Sequence, residues 1–325
     1  MQVAVVIPCY RVREHIEAVL AALGPEVQRV YVIDDACPER TGEYVRERVS
    51  DPRVRVLLNT QNLGVGGAVI EGYRAALADG ADIVVKIDGD GQMNPSLIPD
   101  FIEPIRAFEA DYTKGNRFFH PDDLAGMPLI RLFGNAALSF MTKLSSGYWN
   151  IFDPTNGFTA IHAEVLRLLP LGKLSRRYFF ESDMLFRLNT IRARVVDIPM
   201  RSVYDKETSG LRPGRVLLEF LLLHLRNTAK RLVYNYFLRD FSIASLALVF
   251  GLILFVFGIV FGLSQWYFYW KVQQYASTGT VMLAVLPALS GLQLLLSFVN
   301  FDVAAVPDTA LCRLKAFRRK AGVPK

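Results

Sequence analysis

The sequence predicts an α/β domain on a mostly parallel sheet, followed by a helical membrane anchor. Three observations carry this. From Gln2 to about Val203, short apolar runs alternate with stretches of helical spacing. Two of those runs end in acidic residues, Asp34-Asp35 and Asp88-Gly89-Asp90. Beyond Phe241, charge disappears over two long stretches. Strands alternating with helices imply a doubly wound sheet, whose ligands bind beyond the carboxyl ends of the strands.

The elements follow in order. Val3–Pro8 reads as a buried strand by length and β-branching, and Glu14–Leu23 as a helix stopped by Gly24-Pro25. Val30–Asp35 is a second strand, Thr41–Val49 a short helix, and Val54–Asn59 a third strand. Gly66–Asp79 is a helix ending at Gly80, and Asp82–Asp88 is a fourth strand. Phe241–Leu263 holds 23 residues without charge, and Thr280–Phe301 holds 22. Each is long enough to cross a hydrocarbon core of about 30 Å at about 1.5 Å per residue. Gly214–Asp240 has apolar residues at helical spacing with basic residues between them. That pattern suits either an interfacial helix on an anionic leaflet or a helix packed on the α/β domain, with His224 a surface or interface residue.

The predicted division is therefore 1–210, an α/β domain; 211–240, an amphipathic interfacial helix; 241–263 and 280–301, two spans; 264–279, a non-cytoplasmic linker; and 302–325, a basic tail. Arg226, Lys230, Arg231 and Arg239 precede the first span, and Arg313, Lys315, Arg318, Arg319, Lys320 and Lys325 follow the second. The linker offers Lys271 among Trp266–Trp270. The positive-inside rule puts both termini and the α/β domain in the cytoplasm, on the inner membrane of the cell.

Composition narrows the classes. Mean hydropathy is +0.25, apolar residues make up 52%, and Lys plus Arg exceed Asp plus Glu by 37 − 31 = 6. A basic chain without an RNA-binding signature or basic arm points to a membrane surface or phosphorylated substrates, and away from nucleic acid. Cys9, Cys37 and Cys312 are odd in number and widely spaced, which excludes a disulfide framework and fits a reducing compartment. The N-terminus lacks the basic start and long apolar core of a signal peptide.

Asp88-Gly89-Asp90 has the chemistry for Mg²⁺ or Mn²⁺, which take carboxylates, substrate phosphates and water. In an extended segment Asp88, Asp90 and Gln92 would share one face. Asp34-Asp35 offers acceptors for a base or ribose, or a helix cap. The Asn62–Ala68 loop is glycine-rich before a helix, where backbone approaches a ligand and a helix N-terminus favours phosphate. No GK[ST] follows, so it is not a P-loop, and Val69 breaks the GxGxxG pattern.

These stretches together carry a resemblance. VVIPCYRVREHIE, IDDACPERT, NLGVGGA and VVKIDGDGQM stand in the order and spacing of family 2, GT-A-fold glycosyltransferases, over roughly residues 3–210. The usual DDxSxDxT pattern departs here at Cys37 and Glu39. Within that family the chain is similar to the polyprenyl-phosphate glycosyltransferases, through DYTKGNRF (Asp111–Phe118), IFDPTNGFTAI (Ile151–Ile161) and two helices after the catalytic domain.

The resemblance implies a GT-A (Rossmann-like) domain and inverting transfer of a hexose from a nucleotide sugar to a polyprenyl phosphate in cell-envelope glycan synthesis. It assigns Pro8, Tyr10, Asp34, Asp35, Asn62, Gly64 and Asp88 to the nucleotide sugar. Asp88, Asp90 and Gln92 would face the metal, and Arg117, Arg131, Arg201 and Lys206 the acceptor phosphate. Asp153, Arg117 and Arg131 would be the catalytic group, and Glu181 or Asp183 a base, an arginine-orienting group or a cap. An acceptor hydroxyl on a lipid-linked glycan needs such a base; a lipid phosphate is already anionic and needs arginines instead. A non-catalytic nucleotide-sugar-binding module is the third alternative. Two spans enclose no lipid channel in one copy, which points to homo-oligomerisation.

Overall fold

The structure, a computed structural model, describes residues 1–119, 129–201 and 213–314, without the side chains of 129–133 and 213–217. Lys206, the side chain of Arg131, and Lys315, Arg318, Arg319, Lys320 and Lys325 lie outside the described residues. The chain divides into two units: Met1–Thr228 with Pro307–Lys325, and Ala229–Val306.

The first unit follows the predicted alternation. β1 (Val3–Cys9), α1 (Ile16–Ala21), β2 (Arg29–Asp34), α2 (Thr41–Arg48), β3 (Val54–Leu58), α3 (Val65–Ala78) and β4 (Ile83–Lys86) come first. α4 (Ile98–Arg106), β5 (Tyr112–Asn116), α5 (Leu129–Ser146), β6 (Thr159–His162), α6 (Ala163–Leu168), α7 (Phe180–Thr190) and β7 (Val195–Pro199) complete it. The sheet has seven strands in the order β3-β2-β1-β4-β6-β5-β7. β6 runs antiparallel to β4 and β5, and the other pairs are parallel. The mostly parallel sheet is thus a mixed one.

β1 is buried along its whole length, because helices cover both faces of the sheet. On one face Val3, Val5 and Ile7 join Ile16, Val19 and Leu20 of α1 and Ile98, Phe101, Ile102 and Ile105 of α4. There Phe101 stacks on Phe158, ring centroids 3.9 Å apart. β2 lies on one side of β1 and β4 on the other, so the chain reverses its direction of travel across the sheet between them. A crevice opens at such a switch point, outside the carboxyl ends of the strands.

Two expectations are corrected. The fourth strand stops at Lys86, and Gly89 and Asp90 form a turn with Gly91 at φ +77°. Alternation along an extended segment therefore does not place Asp88, Asp90 and Gln92. His224 is buried, its Nδ1 2.8 Å from Ser145 Oγ, with Phe179 and Phe220 against its ring. Burial lowers its pKa to about 4, leaving a neutral packing residue. It belongs to α8 (Pro213–Val233), where Asn227 also donates to Asp183 Oδ1 at 3.1 Å. The opposite face exposes Leu218, Leu221, Leu222 and Leu225.

The second unit holds the end of α8, a π-turn (Tyr234–Arg239), α9 (Ile243–Val272) and α10 (Thr278–Ala304). Both long helices are long and apolar enough to cross a membrane. α9 continues past Leu263, so Trp266–Trp270 are helical. Its backbone meets that of α10 closely: a Cβ on Gly258 would lie 2.5 Å from Ala288 N, and one on Gly291 2.3 Å from Phe255 N. Arg231 grips Asp302 through two hydrogen bonds of 2.6 and 2.9 Å, and Tyr236 Oη donates to the same carboxylate at 2.5 Å.

After α10 the chain rejoins the first unit. Asp111, fully buried just before β5, accepts the backbone N–H groups of Arg194 (2.8 Å), Leu311 (2.8 Å) and Cys312 (2.9 Å). Asp111→Ala leaves three buried or partly buried donors unpaired, at about 1 kcal/mol each. A stability loss of about 3 kcal/mol and faster proteolysis near residue 311 are expected from denaturation and limited digestion.

Candidate active site

The crevice at the switch point is a cleft of about 500 Å³. Three loops beyond strand ends build it. Pro8 and Cys9 end β1 and Tyr10 and Val12 follow it, Asp35 follows β2, and Asp88, Gly89 and Asp90 follow β4. Asn62, Gly64, Val65 and Ala68 come from the start of α3, and Arg177 and Tyr178 from the segment before α7. Of the residues assigned to the nucleotide sugar, Pro8, Tyr10, Asp35, Asn62, Gly64 and Asp88 line this cleft together.

Asp34 and Asp35 are adjacent but divide the work. Asp34 turns inward and accepts from Cys37 N (2.7 Å) and Gly42 N (2.6 Å), anchoring the start of α2 outside the cleft lining. Asp35 accepts from Asn59 Nδ2, Leu63 N and Gly64 N, all at 2.8 Å, and so holds the glycine-rich loop against the end of β2. Cys37, where the family pattern has serine, does a hydroxyl's work: its Sγ accepts from Arg11 N (3.1 Å) and lies 3.2 Å from Thr41 Oγ1.

The glycines of that loop have a second reason besides ligand approach. A Cβ on Gly64, at φ +80°, would lie 2.5 Å from Arg176 O, and one on Gly66 2.4 Å from Ser175 O. The loop packs against the backbone of Ser175 and Arg176, which brings Arg177 and Tyr178 to the rim. The assignment of site residues missed these two; an Arg-Arg-Tyr run just before a helix was the available signal.

Lys86 was missed as well. It is buried at the end of β4, with Nζ 2.9 Å from Asp88 Oδ1 and 3.0 Å from Glu181 Oε1. Burial opposes its charge, but the two carboxylates outweigh burial and hold its pKa above the ordinary lysine value. A lysine inside an apolar strand was the sequence signal, since such a charge needs partners. Gly157 makes the room: a Cβ there would lie 2.4 Å from Lys86 Nζ and 2.5 Å from Asp88 Oδ2.

The segment carrying Gly157 also carries Asp153, which is fully buried. Arg117 clasps it through Nε (2.7 Å) and Nη2 (2.9 Å), and its own backbone N–H adds a third bond of 3.2 Å. Asn156 Nδ2 donates to the same carboxylate at 3.3 Å. Burial pushes the Asp153 pKa upward, but Arg117 and Lys114 together bring it below the usual value. Residues 153–157 therefore link the Arg117 pair to Asp88.

Asp183 accepts from Ser175 N (3.0 Å), Arg187 Nε (2.9 Å) and Asn227, which ties α7 to α8. Arg201 is exposed just past β7. Gln92 is not among the cleft-lining residues; its backbone N–H donates to Asp90 Oδ1 at 3.0 Å. Two carboxylates in a partly open cleft fit an oxygen-seeking divalent ion that keeps water and substrate oxygens in its shell. Asp88 Oδ1 has no hydrogen-bond partner of good geometry, only the Lys86 ammonium, which suits a carboxylate shared with a further cation.

Residues 4–169 match the family described as Glycosyl transferase family 2. Over 218 residues the chain is 34% identical to an undecaprenyl-phosphate mannosyltransferase of Micrococcus luteus, covering 65% of this chain and 88% of that one. It is 29% identical over 233 residues to a UDP-N-acetylglucosamine–dolichyl-phosphate N-acetylglucosaminyltransferase of Methanococcus voltae, covering 67% and 92%. Among solved structures it resembles the glucosyl-3-phosphoglycerate synthase of Mycobacterium tuberculosis in complex with Mn²⁺, UDP and phosphoglyceric acid. There the TM-score is 0.52 at 20% identity, over 71% of this chain and 78% of that one, a likeness of fold.

Two outcomes test this geometry. Gly157→Ala should displace Lys86 and Asp88, cutting turnover about 100-fold in steady-state kinetics while costing about 1–3 kcal/mol of stability. Asp197, on β7, has its pKa raised by burial to about 6. Above that pH its buried charge costs stability; below about 4 it is protonated folded and unfolded alike, and the cost vanishes. Asp197→Asn should therefore gain on the order of 2 kcal/mol at pH 8 and nothing at pH 4, as read by denaturant melts.

Proposed function

The chain belongs to glycosyl transferase family 2, and from that premise we propose that it moves a hexose from a UDP- or GDP-linked donor to a polyprenyl phosphate at a membrane. The observation that carries this reading is the pairing of the carboxylates that could serve as a base. Asp153 is clasped by Arg117, Glu181 by Lys86 and Asp183 by Arg187. Each is already engaged by a cation in a structural pair, which competes with service as the base an alcohol acceptor would need. A phosphate monoester is already anionic and needs no base. The names of the two relatives, which transfer sugars to undecaprenyl and dolichyl phosphates, support the same acceptor class.

In this reading Asp35 and the loop it holds position the nucleotide, with Arg177 and Tyr178 at the rim. Asp88 and Asp90 hold Mg²⁺ or Mn²⁺, which when bound offsets the charge growing on the leaving diphosphate. Arg117, kept in place by Asp153, binds the acceptor phosphate, with Arg131, Arg201 and Lys206 as further cations. A phosphate oxygen attacks the anomeric carbon, the carbon–oxygen bond to the nucleotide diphosphate breaks, and the configuration inverts. Lys86 bridges Asp88 and Glu181 and offsets their charges.

The division into a catalytic domain over 1–210, an interfacial segment over 211–240 and two spans belongs to the same reading. So do cytoplasmic termini and self-association in the inner membrane. The exposed leucines of α8 support an interfacial role, since such a strip is covered by lipid at little cost.

Membranes incubated with labelled UDP- and GDP-hexoses and Mg²⁺ or Mn²⁺ should yield an acid-labile, monophosphate-linked lipid. Product linked through a glycan hydroxyl, or donor binding without turnover, sinks the proposal. Asp90→Ala should lower the yield at least about 100-fold; near-normal transfer at saturating metal overturns the metal assignment.

A further inference from the structure

One carboxylate outside this scheme lies beside the Arg117–Asp153 pair. Asp197 sits in β7, paired in parallel register with Lys114 of β5. Its Oδ2 accepts from the backbone N–H of Phe152 at 3.0 Å and from Asn116 Nδ2 at 3.3 Å. Those residues immediately precede Asp153 and Arg117. Asn116 is itself fixed, because its Oδ1 accepts from Phe118 N at 2.9 Å. One carboxylate therefore holds both pieces of chain that present the pair.

Stability alone does not account for it. Asp197 Oδ1 is buried without a hydrogen-bond partner among the described residues. The ionic groups facing it are Lys114 from β5, Asp153 from the neighbouring segment and Lys143 from α5. Lys143 lies 4.4 Å over the Phe152 ring, and Lys114 Nζ turns towards Gly115 O at 3.4 Å. Neither lysine makes a hydrogen bond to Asp197, and burial raises the Asp197 pKa despite them. A carboxylate kept where an apolar side chain would cost less marks a position held for something other than packing.

We propose that Asp197 is a positioning residue of the transfer reaction: by gripping Asn116 and the Phe152 amide it sets the spacing of Arg117 and Asp153, and so aims the Arg117 guanidinium at the acceptor phosphate. The inference rests on the reading of Arg117 as the acceptor-phosphate group. Its structural half, the control of Arg117 by Asp197, stands apart from which acceptor is used.

The test reads both halves in the full-length protein. Modification of Arg117 by phenylglyoxal, followed by peptide mass spectrometry, reports how firmly Asp153 holds it. Asp197→Ala should be labelled several-fold faster than wild type, while Asp197→Asn, which keeps an acceptor oxygen for both donors, stays within about twofold. In transfer assays Asp197→Ala should raise the KM for polyprenyl phosphate about tenfold and leave the donor KM within about twofold. Wild-type labelling of a folded Asp197→Ala protein overturns the inference, as does a rise in donor KM equal to the rise in acceptor KM. Where Asp197→Ala does not fold, Asn116→Ala cuts the same linkage from the strand side and carries the same expectations. Absence of lipid product from wild type sinks the acceptor reading alone, because the labelling still decides the role of Asp197.

Discussion

A lysine ammonium buried at the end of a central strand constrains everything around it. Lys86 cannot remain charged there without carboxylates, and it draws on two, one near in sequence and one far. Asp88 follows it on the same loop; Glu181 arrives from the first turn of α7. The pairing fixes where α7 begins, and the segment before α7 closes over the glycine-rich loop. It requires a residue without a side chain at position 157, which sets the path of the segment that also delivers Asp153. The donor cleft and the arginine pair are thus positioned by one electrostatic requirement at the carboxyl edge of the sheet.

A second theme is the assignment of neighbouring acidic residues to different tasks. Asp34 and Asp35 are consecutive, yet one anchors a helix start and the other ties a loop to the cleft. Glu181 and Asp183 share a helix turn, yet one meets Lys86 and the other joins α7 to α8. Successive side chains in a strand or turn, and side chains two apart on a helix, leave the backbone on different sides, so closeness in sequence predicts divergence in space.

Much of the first unit was legible because its signals are local. Strands such as Val3–Cys9 are continuous apolar runs bounded by turns, and four of them were read to within two residues at each end. The loops that close the cleft follow directly from those strand ends, so Pro8, Tyr10, Asp35, Asn62, Gly64, Asp88 and Asp90 were identifiable. What escaped was long-range. β6 and β7 are four and five residues long and take their meaning from pairing with β4 and β5. Lys86, Gly157 and Asp197 matter through partners tens of residues away. The burial of His224 depends on Ser145 of α5 and Phe179 just before α7 meeting it beside Phe220 of its own helix, while helical spacing along α8 shows only that one face is apolar.

The clamp by Asp111 has a consequence for counting. The chain leaves the first unit after Thr228 and is back in it by Pro307, with Leu311 and Cys312 fastened to the same carboxylate as Arg194. A path that departs from a folded body and returns to it crosses any intervening sheet of lipid an even number of times. Parity therefore comes from the two hydrogen bonds that fasten Leu311 and Cys312 rather than from charge counts in the loops. If α9 and α10 cross a bilayer, a single added or deleted crossing between these points would be incompatible with this clasp.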